Sequence, residues 1–173
     1  MLVTKQQTFL CETLDLLGGA RLDQLAALIR PVFCLEQPDI APRVVDTALR
    51  QLHHRNVEII RDGDLAYYPG KKPDPLFLDA VDVMLELTEA NPVSFFRDSP
   101  PILLRFSAQE EKVRLFCVMT QGADLYGARI YDTERVILLF DGRSQAQALP
   151  VSNKQFLAVR QSDRRHRFYA LTD

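Results

Sequence analysis

The stretch VEIIRDGDLAYYP, residues 57 to 69, leaves the backbone few options. Asp62-Gly63 separates two short runs rich in β-branched and aromatic residues. An Asp-Gly pair in that setting is a strong hairpin signal, because the turn residues must tolerate positive φ. Tyr67 and Tyr68 then alternate in direction along the second strand, one inward and one outward.

The residues before the hairpin read as three helices. Thr4-Lys5-Gln6-Gln7 has the form of a capping box, with Gln at the third helical position. Phe9, Leu10, Leu14 and Leu17 follow at helical spacing, and Gly18-Gly19 stops the run. A second short helix has Asp23 as its expected N-cap, with Leu25, Ala26, Leu28 and Ile29 as apolar positions, and Pro31 is expected to end it. VFCLEQPDIAP then makes a connection of about ten residues, longer than that of a compact helix-turn-helix.

The third helix is expected over roughly 41 to 55, with Pro42 suited to its first turn. Val44, Val45, Ala48, Leu49 and Leu52 fall on one side. Arg43, Thr47, Arg50 and His54 form a narrow row opposite, at i, i+4, i+7 and i+11, with no acid in the row and Asp46 on its flank. Three short helices and a two-stranded ribbon follow the order of a winged helix, whose third helix enters the major groove while the ribbon flanks it near the phosphates. Arg43, Thr47, Arg50 and His54 are therefore the candidate base-reading residues, and Arg55, Arg61, Lys71 and Lys72 the candidate phosphate contacts. An ordinary solvated helix face is the plainer reading of the same row. His53 and His54 point about 100° apart and do not form a metal pair.

GKKPDP, residues 70 to 75, reads as a linker. Leu76, Phe77, Ala80, Val81, Met84 and Leu85 then predict an amphipathic helix over 75 to 90. Its acidic stripe, Asp79, Asp82, Glu86 and Glu89, is expected to be solvated rather than catalytic. Strands are expected at 102–106, 113–120, 135–140, 156–161 and 167–172, with a short helix within 121–133. RVILLF is almost continuously apolar, as a central strand covered on both faces would be. SDRRHR, residues 162 to 167, reads as a solvated cationic turn with His166 in it. The expected fold class is thus α+β: a winged helix-turn-helix domain over 1–72, then a small α/β domain over 73–173 with a sheet of about five strands.

Charge limits the partners. Net charge is -2, but residues 1 to 72 carry nine Lys or Arg against nine Asp or Glu, and 143 to 173 carry six against two. This argues against a strong non-specific polyanion binder without excluding a local nucleic-acid surface. No apolar run approaches the roughly 20 residues of a membrane span. Lys5, Glu12 and Asp15 interrupt the N-terminal stretch, so neither a secretory signal nor a membrane partner is expected. Cys11, Cys34 and Cys117 are odd in number and far apart, which fits buried thiols in the cytoplasm.

Three stretches, TALRQLHHRNVEIIRDGDLAYYP, ILLRFSAQEEKVRLFCVMTQG, and ERVILLFDG with the closing FLAVRQSDRRHRFYALTD, together resemble a bacterial family associated with conjugative and other mobile elements. Its members pair a winged helix with a small α/β domain in the manner of replication-relaxation proteins. The resemblance implies DNA binding by the first domain, and a second domain related to the PD-(D/E)xK nucleases that has lost its active site. The nuclease chemistry needs an acid, then an acid and a Lys two residues apart at a strand, gathering Mg²⁺. VRLFCVMT has neither; Glu110, Glu111 and Lys112 match only in part, and Asp141-Gly142 is an ordinary turn pair. No catalytic residue, metal or cofactor is therefore expected. The sequence points to a non-catalytic DNA-binding protein that regulates or maintains a mobile element, acting on double-stranded DNA as a homodimer. A protein-interaction module built on a winged helix is the first alternative, and a metal-dependent nuclease the second.

Overall fold

A computed structural model of the chain describes residues 4–109, 113–120, 129–140 and 152–171. The fold is mixed α and β, with four α-helices among the described residues. Two compact units follow one another, Met1–Val81 and Asp82–Asp173.

In the first unit, α1 (Lys5–Leu17) opens with the expected box: Thr4 N–H donates to Gln7 Oε1 at 3.0 Å and Gln7 N–H to Thr4 Oγ1 at 3.2 Å. Gly18 closes the helix at φ 77°, a left-handed conformation that costs glycine little. Gly19 does more than stop a helix, because it begins β1 (Gly19–Arg21), a strand too short to leave a periodic signal.

The next helix, α2 (Leu22–Phe33), starts earlier and ends later than its sequence suggests. Arg21, not Asp23, is the N-cap. Gln24 Oε1 accepts from Arg21 N–H at 3.0 Å, while Asp23 sits in the first turn and pairs with Arg21 at 3.0 Å. Pro31 lies inside the last turn, where the N–H it lacks forfeits one intrahelical bond and Cys34 N–H still reaches Arg30 O at 3.0 Å. A 3-10 turn over Pro38–Ile40 runs directly into α3 (Ala41–His54), so the connection is more compact than expected, with 34–37 alone outside helical structure. Asn56, at φ 59°, ends α3: its N–H bonds His53 O and that of Val57 bonds Leu52 O, the paired arrangement of a Schellman stop.

The hairpin consists of β2 (Ile60–Asp62) and β3 (Leu65–Tyr67). Asp62 pairs with Leu65, so the turn residues are Gly63-Asp64 rather than Asp62-Gly63, and only Gly63 takes positive φ, 61°. Glycine in the first central position suits a type II′ turn. β1 lies antiparallel on the other side of β3, giving the order β1-β3-β2 with Gly19 opposite Tyr67. A Cβ on Gly19 would meet Tyr67 Cβ at 2.5 Å and Pro73 Cδ at 2.8 Å. Leu10, Leu14 and Leu17 from α1, Leu25 and Ile29 from α2, and Leu49 and Leu52 from α3 are fully buried in this unit. Each such side chain contributes about 1.5–3 kcal/mol relative to exposure. Tyr67 is buried and Tyr68 half-buried beside Cys11 and Asp15; burial chiefly, then those two neighbours, hold the Tyr68 phenol well above its ordinary pKa. Burial likewise pushes the Cys11 thiol up, and Cys34 is a buried thiol.

The boundary between the units falls within α4 (Pro75–Leu87). The acidic stripe on this helix is not simply solvated: Asp79 is buried, Asp82 and Glu86 are half-buried, and only Glu89 beyond it is exposed. The described residues of the second unit form six strands rather than about five: β4 (Ser94–Arg97), β5 (Ile102–Gln109), β6 (Val113–Thr120), β7 (Arg135–Phe140), β8 (Gln155–Arg160) and β9 (His166–Leu171). The extra strand is β4. Spatial order equals chain order, with β6, β7 and β8 parallel and the flanking pairs antiparallel. Val136, Ile137, Leu138 and Leu139 of β7 are all buried, so the central strand is covered on both faces. Ile102, Val136, Leu138, Leu157 and Val159 form the core on one of them. The helix expected within 121–133 lies partly outside the described residues, as do Glu110, Glu111, Lys112 and Asp141 altogether.

Among the buried polar residues described in this unit, His166 and Arg105 are held by carboxylates. His166 is not in an open basic turn; Glu86 accepts its backbone N–H at 3.0 Å and lies 3.0 Å from its Nδ1. Arg105 donates to Asp98 Oδ2 at 2.5 Å, to Glu134 and to the carbonyl of Arg129, while Glu134 also accepts from Tyr131 N–H at 2.8 Å.

Two substitutions test these seams. Gly19→Ala should lower stability by about 1–3 kcal/mol in urea denaturation, since strand β3 must move to admit the methyl group; an unchanged midpoint would mean β1 and β3 are not so close. Arg105→Ala should cost about 3–5 kcal/mol by leaving the Glu134 charge buried without its partner, read in the same assay.

Candidate nucleic-acid interface

Burial along α3 divides the helix cleanly. Ala41, Val45, Ala48, Leu49 and Leu52 are buried, whereas Arg43, Thr47, Arg50 and His54 are all exposed. The sequence row is thus a solvent-facing ridge. Val44 departs from the expected inner face and is only half-buried, on the shoulder of the helix.

Two shallow grooves flank the ridge. One, of about 430 Å³, is lined by Arg43, Val44, Thr47 and Gln51 together with Thr4 and Gln6 at the start of α1. The other, of about 380 Å³, runs between α3 and β2 and is lined by Arg50, His53, His54, Ile59, Ile60 and Arg61. Arg43 and Thr47 thus belong to one side and Arg50, His54 and Arg61 to the other. Gln51 and His53 join these walls, although neither belongs to the row that the sequence singles out. Their signal is present all the same: at 100° per residue they stand on either flank of the ridge.

The eight candidate residues differ in what already holds them. Arg43, Thr47 and Lys71 make no side-chain hydrogen bond or ion pair among the described residues. His54 faces His53 with ring centroids 6.2 Å apart. Arg50 Nε lies 3.1 Å from Asp46 Oδ2, and Arg61 Nη1 lies 2.7 Å from Asp46 Oδ1. One carboxylate therefore links the helix to the hairpin. Lys72 Nζ pairs with Asp62 Oδ2 at 2.6 Å and stands 5.9 Å from the centre of the Tyr67 ring. Asp62 raises the Lys72 ammonium above its ordinary pKa. Arg55 is set apart: it is half-buried, and its Nη1 donates to Gln7 Oε1 at 3.1 Å. This hydrogen bond ties the end of α3 to α1.

The hydrogen bond from Arg61, then the nearby Arg50 charge, holds the Asp46 carboxyl below the usual carboxylate range. These pairs are exposed, and pairs of that kind contribute little net stability. Their effect is on geometry, since they draw two guanidinium groups to one carboxylate.

Among the described residues no group of three His, Cys, Asp or Glu side chains stands where it could hold a metal ion, and no described helix is long and apolar enough to cross a membrane. No protein-family model matches the chain, and no curated protein and no solved structure matches it either.

The shared carboxylate has a pH signature. A depressed folded pKa means that Asp46 adds stability above its unfolded pKa, and this contribution disappears as pH falls through the folded value. In a carbon-detected NMR titration the Asp46 midpoint should lie below that of an unpaired aspartate, and Arg61→Ala should move it back up. A midpoint indifferent to Arg61 would remove the link between helix and hairpin.

Proposed function

We propose that the protein is a non-catalytic, double-stranded DNA-binding protein whose first unit is a winged helix, with α3 as the element that enters the major groove. The observation that carries this reading is the ridge of α3: four polar side chains in a row, all exposed, with the exposed strand β2 linked beside them through Asp46. The order α1-β1-α2-α3-β2-β3, with β1 against β3, supports this reading. Arg43, Thr47, Arg50 and His54 contact base edges in this reading. Arg61, Lys71 and Lys72 contact phosphates, and Arg55 supports them from its place against Gln7.

The first unit has no excess of cations, so a single copy binds duplex weakly. A homodimer presenting two ridges gains affinity because the second ridge binds as part of the same molecule. The resemblance to the mobile-element family supports regulation or maintenance of such an element as the cellular role. It also supports reading the second unit as a PD-(D/E)xK relative without its active site.

One observation favours a second reading, a protein-interaction module. Val32, Leu35 and Ile40, around the end of α2 and the turn before α3, are 50%, 76% and 37% exposed. That is more apolar surface than a short connection needs.

Fluorescence anisotropy with a short random-sequence duplex separates the two. Substituting Arg43→Ala and Arg50→Ala together should weaken binding, whereas substituting Lys71→Ala and Lys72→Ala should flatten the dependence of log affinity on log salt, by roughly 0.9 for each phosphate no longer neutralised. Absence of salt-dependent duplex binding, beside salt-insensitive binding of a protein partner that survives Arg43→Ala with Arg50→Ala, would favour the protein-interaction reading.

A further inference from the structure

We propose that Asp46 makes this interface selective, holding Arg50 so that it donates to a guanine edge while opposing the approach of phosphate. The inference rests on the DNA-binding reading above and goes further, to the chemical group Arg50 recognises and the residue that enforces the choice.

The geometry assigns different tasks to different nitrogens. Asp46 Oδ2 meets Arg50 at Nε, 3.1 Å away, on the side of the guanidinium nearest its own helix. The two terminal nitrogens of Arg50 carry no hydrogen bond among the described residues, and the side chain is 63% exposed. A guanidinium anchored through Nε has lost much of its rotational freedom, yet keeps the pair of parallel donors that matches guanine O6 and N7. Asp46 Oδ1 meanwhile takes Arg61 Nη1 at 2.7 Å, so the same carboxylate also fixes the hairpin cation.

Charge supplies the discrimination. Two guanidinium groups and one carboxylate leave a single net positive charge where two free arginines would leave two. A phosphate, being anionic, is repelled by Asp46 as it nears Arg50, whose Nε lies 3.1 Å from that carboxylate. Guanine O6 and N7 carry only partial charge and feel far less of that repulsion. Non-specific affinity scales with the phosphates neutralised and counterions released, so Asp46 reduces it. Recognition of guanine is spared. The sequence conceals this arrangement: Asp46 lies on the flank of an otherwise acid-free row, and its second partner is fifteen residues away.

The test uses the full chain, in wild-type form and as Asp46→Asn, Asp46→Glu and Arg50→Ala, each checked for an unchanged thermal transition. Two fluorescent duplexes serve as probes, a mixed sequence containing guanine and one built of A·T pairs alone. Wild-type protein should prefer the guanine-containing duplex roughly tenfold, the scale of one bidentate pair. Asp46→Asn should tighten binding to the A·T duplex several-fold and steepen its salt dependence by about 0.9, as one more phosphate is neutralised. The preference for guanine should shrink accordingly. Asp46→Glu should keep most of the preference, and Arg50→Ala should abolish it.

The inference is overturned if Asp46→Asn leaves both the preference and the salt slope unchanged, or weakens binding to both duplexes equally, as a purely structural support would. An Arg43→Ala control separates that failure from failure of the DNA reading. Loss of binding with Arg43→Ala beside an inert Asp46→Asn keeps the reading and removes the inference. Absence of salt-dependent binding in every form removes both. Binding that emerges only in Asp46→Asn supports the inference, with Asp46 then the dominant restraint.

Discussion

Gly19 and Tyr67 sit opposite each other across two strands, with no space between them for even one more methyl group. This close approach decides whether the hairpin belongs to the first unit or hangs from it. A two-stranded ribbon is marginal in water by itself, whereas a third strand gives it a face to bury. β1 supplies that strand using only three residues, and does so immediately after α1 because Gly18 turns the chain sharply at the helix end. Ala20 and Ala66 are paired at the centre of this seam and fully buried. The position of β2, and with it that of Arg61, is inherited from packing on the far side of β3.

Two glutamines extend the same economy. Gln7 and Gln24 are both almost wholly buried, which for a side-chain amide demands satisfied hydrogen bonds. Each closes a helix N-terminus with its oxygen and uses its nitrogen for a distant element. Gln7 Nε2 donates to Gln51 of α3 at 2.6 Å, and Gln24 Nε2 donates to the carbonyl of Leu78 in α4 at 2.7 Å. Gln7 Oε1 also receives Arg55. A residue that caps locally and ties tertiary structure at once makes helix ends and helix packing form together. This coupling holds α3 at a fixed attitude to α1, and therefore fixes the outer ridge.

Much of this was legible in the sequence where a signal repeats or is confined to neighbours. The face of α3, the Thr4 box, the hairpin and the spans of β5 to β9 follow from periodicity and turn chemistry. Elements of three or four residues did not: β1 and β4 are too short to show alternation. Pro31 was misleading because its usual cost falls away near a helix end, and the turn register shifted by one because Gly63 needs the first central place. Partnerships across long separations were invisible. Asp46 with Arg61, and Glu86 with His166 eighty residues later, depend on how elements meet and leave no trace in local pattern. The helix row was readable as exposed, but not which of its cations were already engaged.

The larger sheet has borders of unequal character among its described strands. β4 is four residues long and carries the 43% exposed Phe96 beside Arg97; β9 runs six residues, with Arg167 and the 36% exposed Phe168 near one end and Ala170 further along. Each margin sets an exposed ring beside an arginine, so length separates them: a short margin offers a poor template for a foreign extended chain, and a longer one offers a better one. At high concentration or on heating, self-association of the second unit should therefore begin along β9, and a single added lysine there would do more for colloidal behaviour than any change along β4.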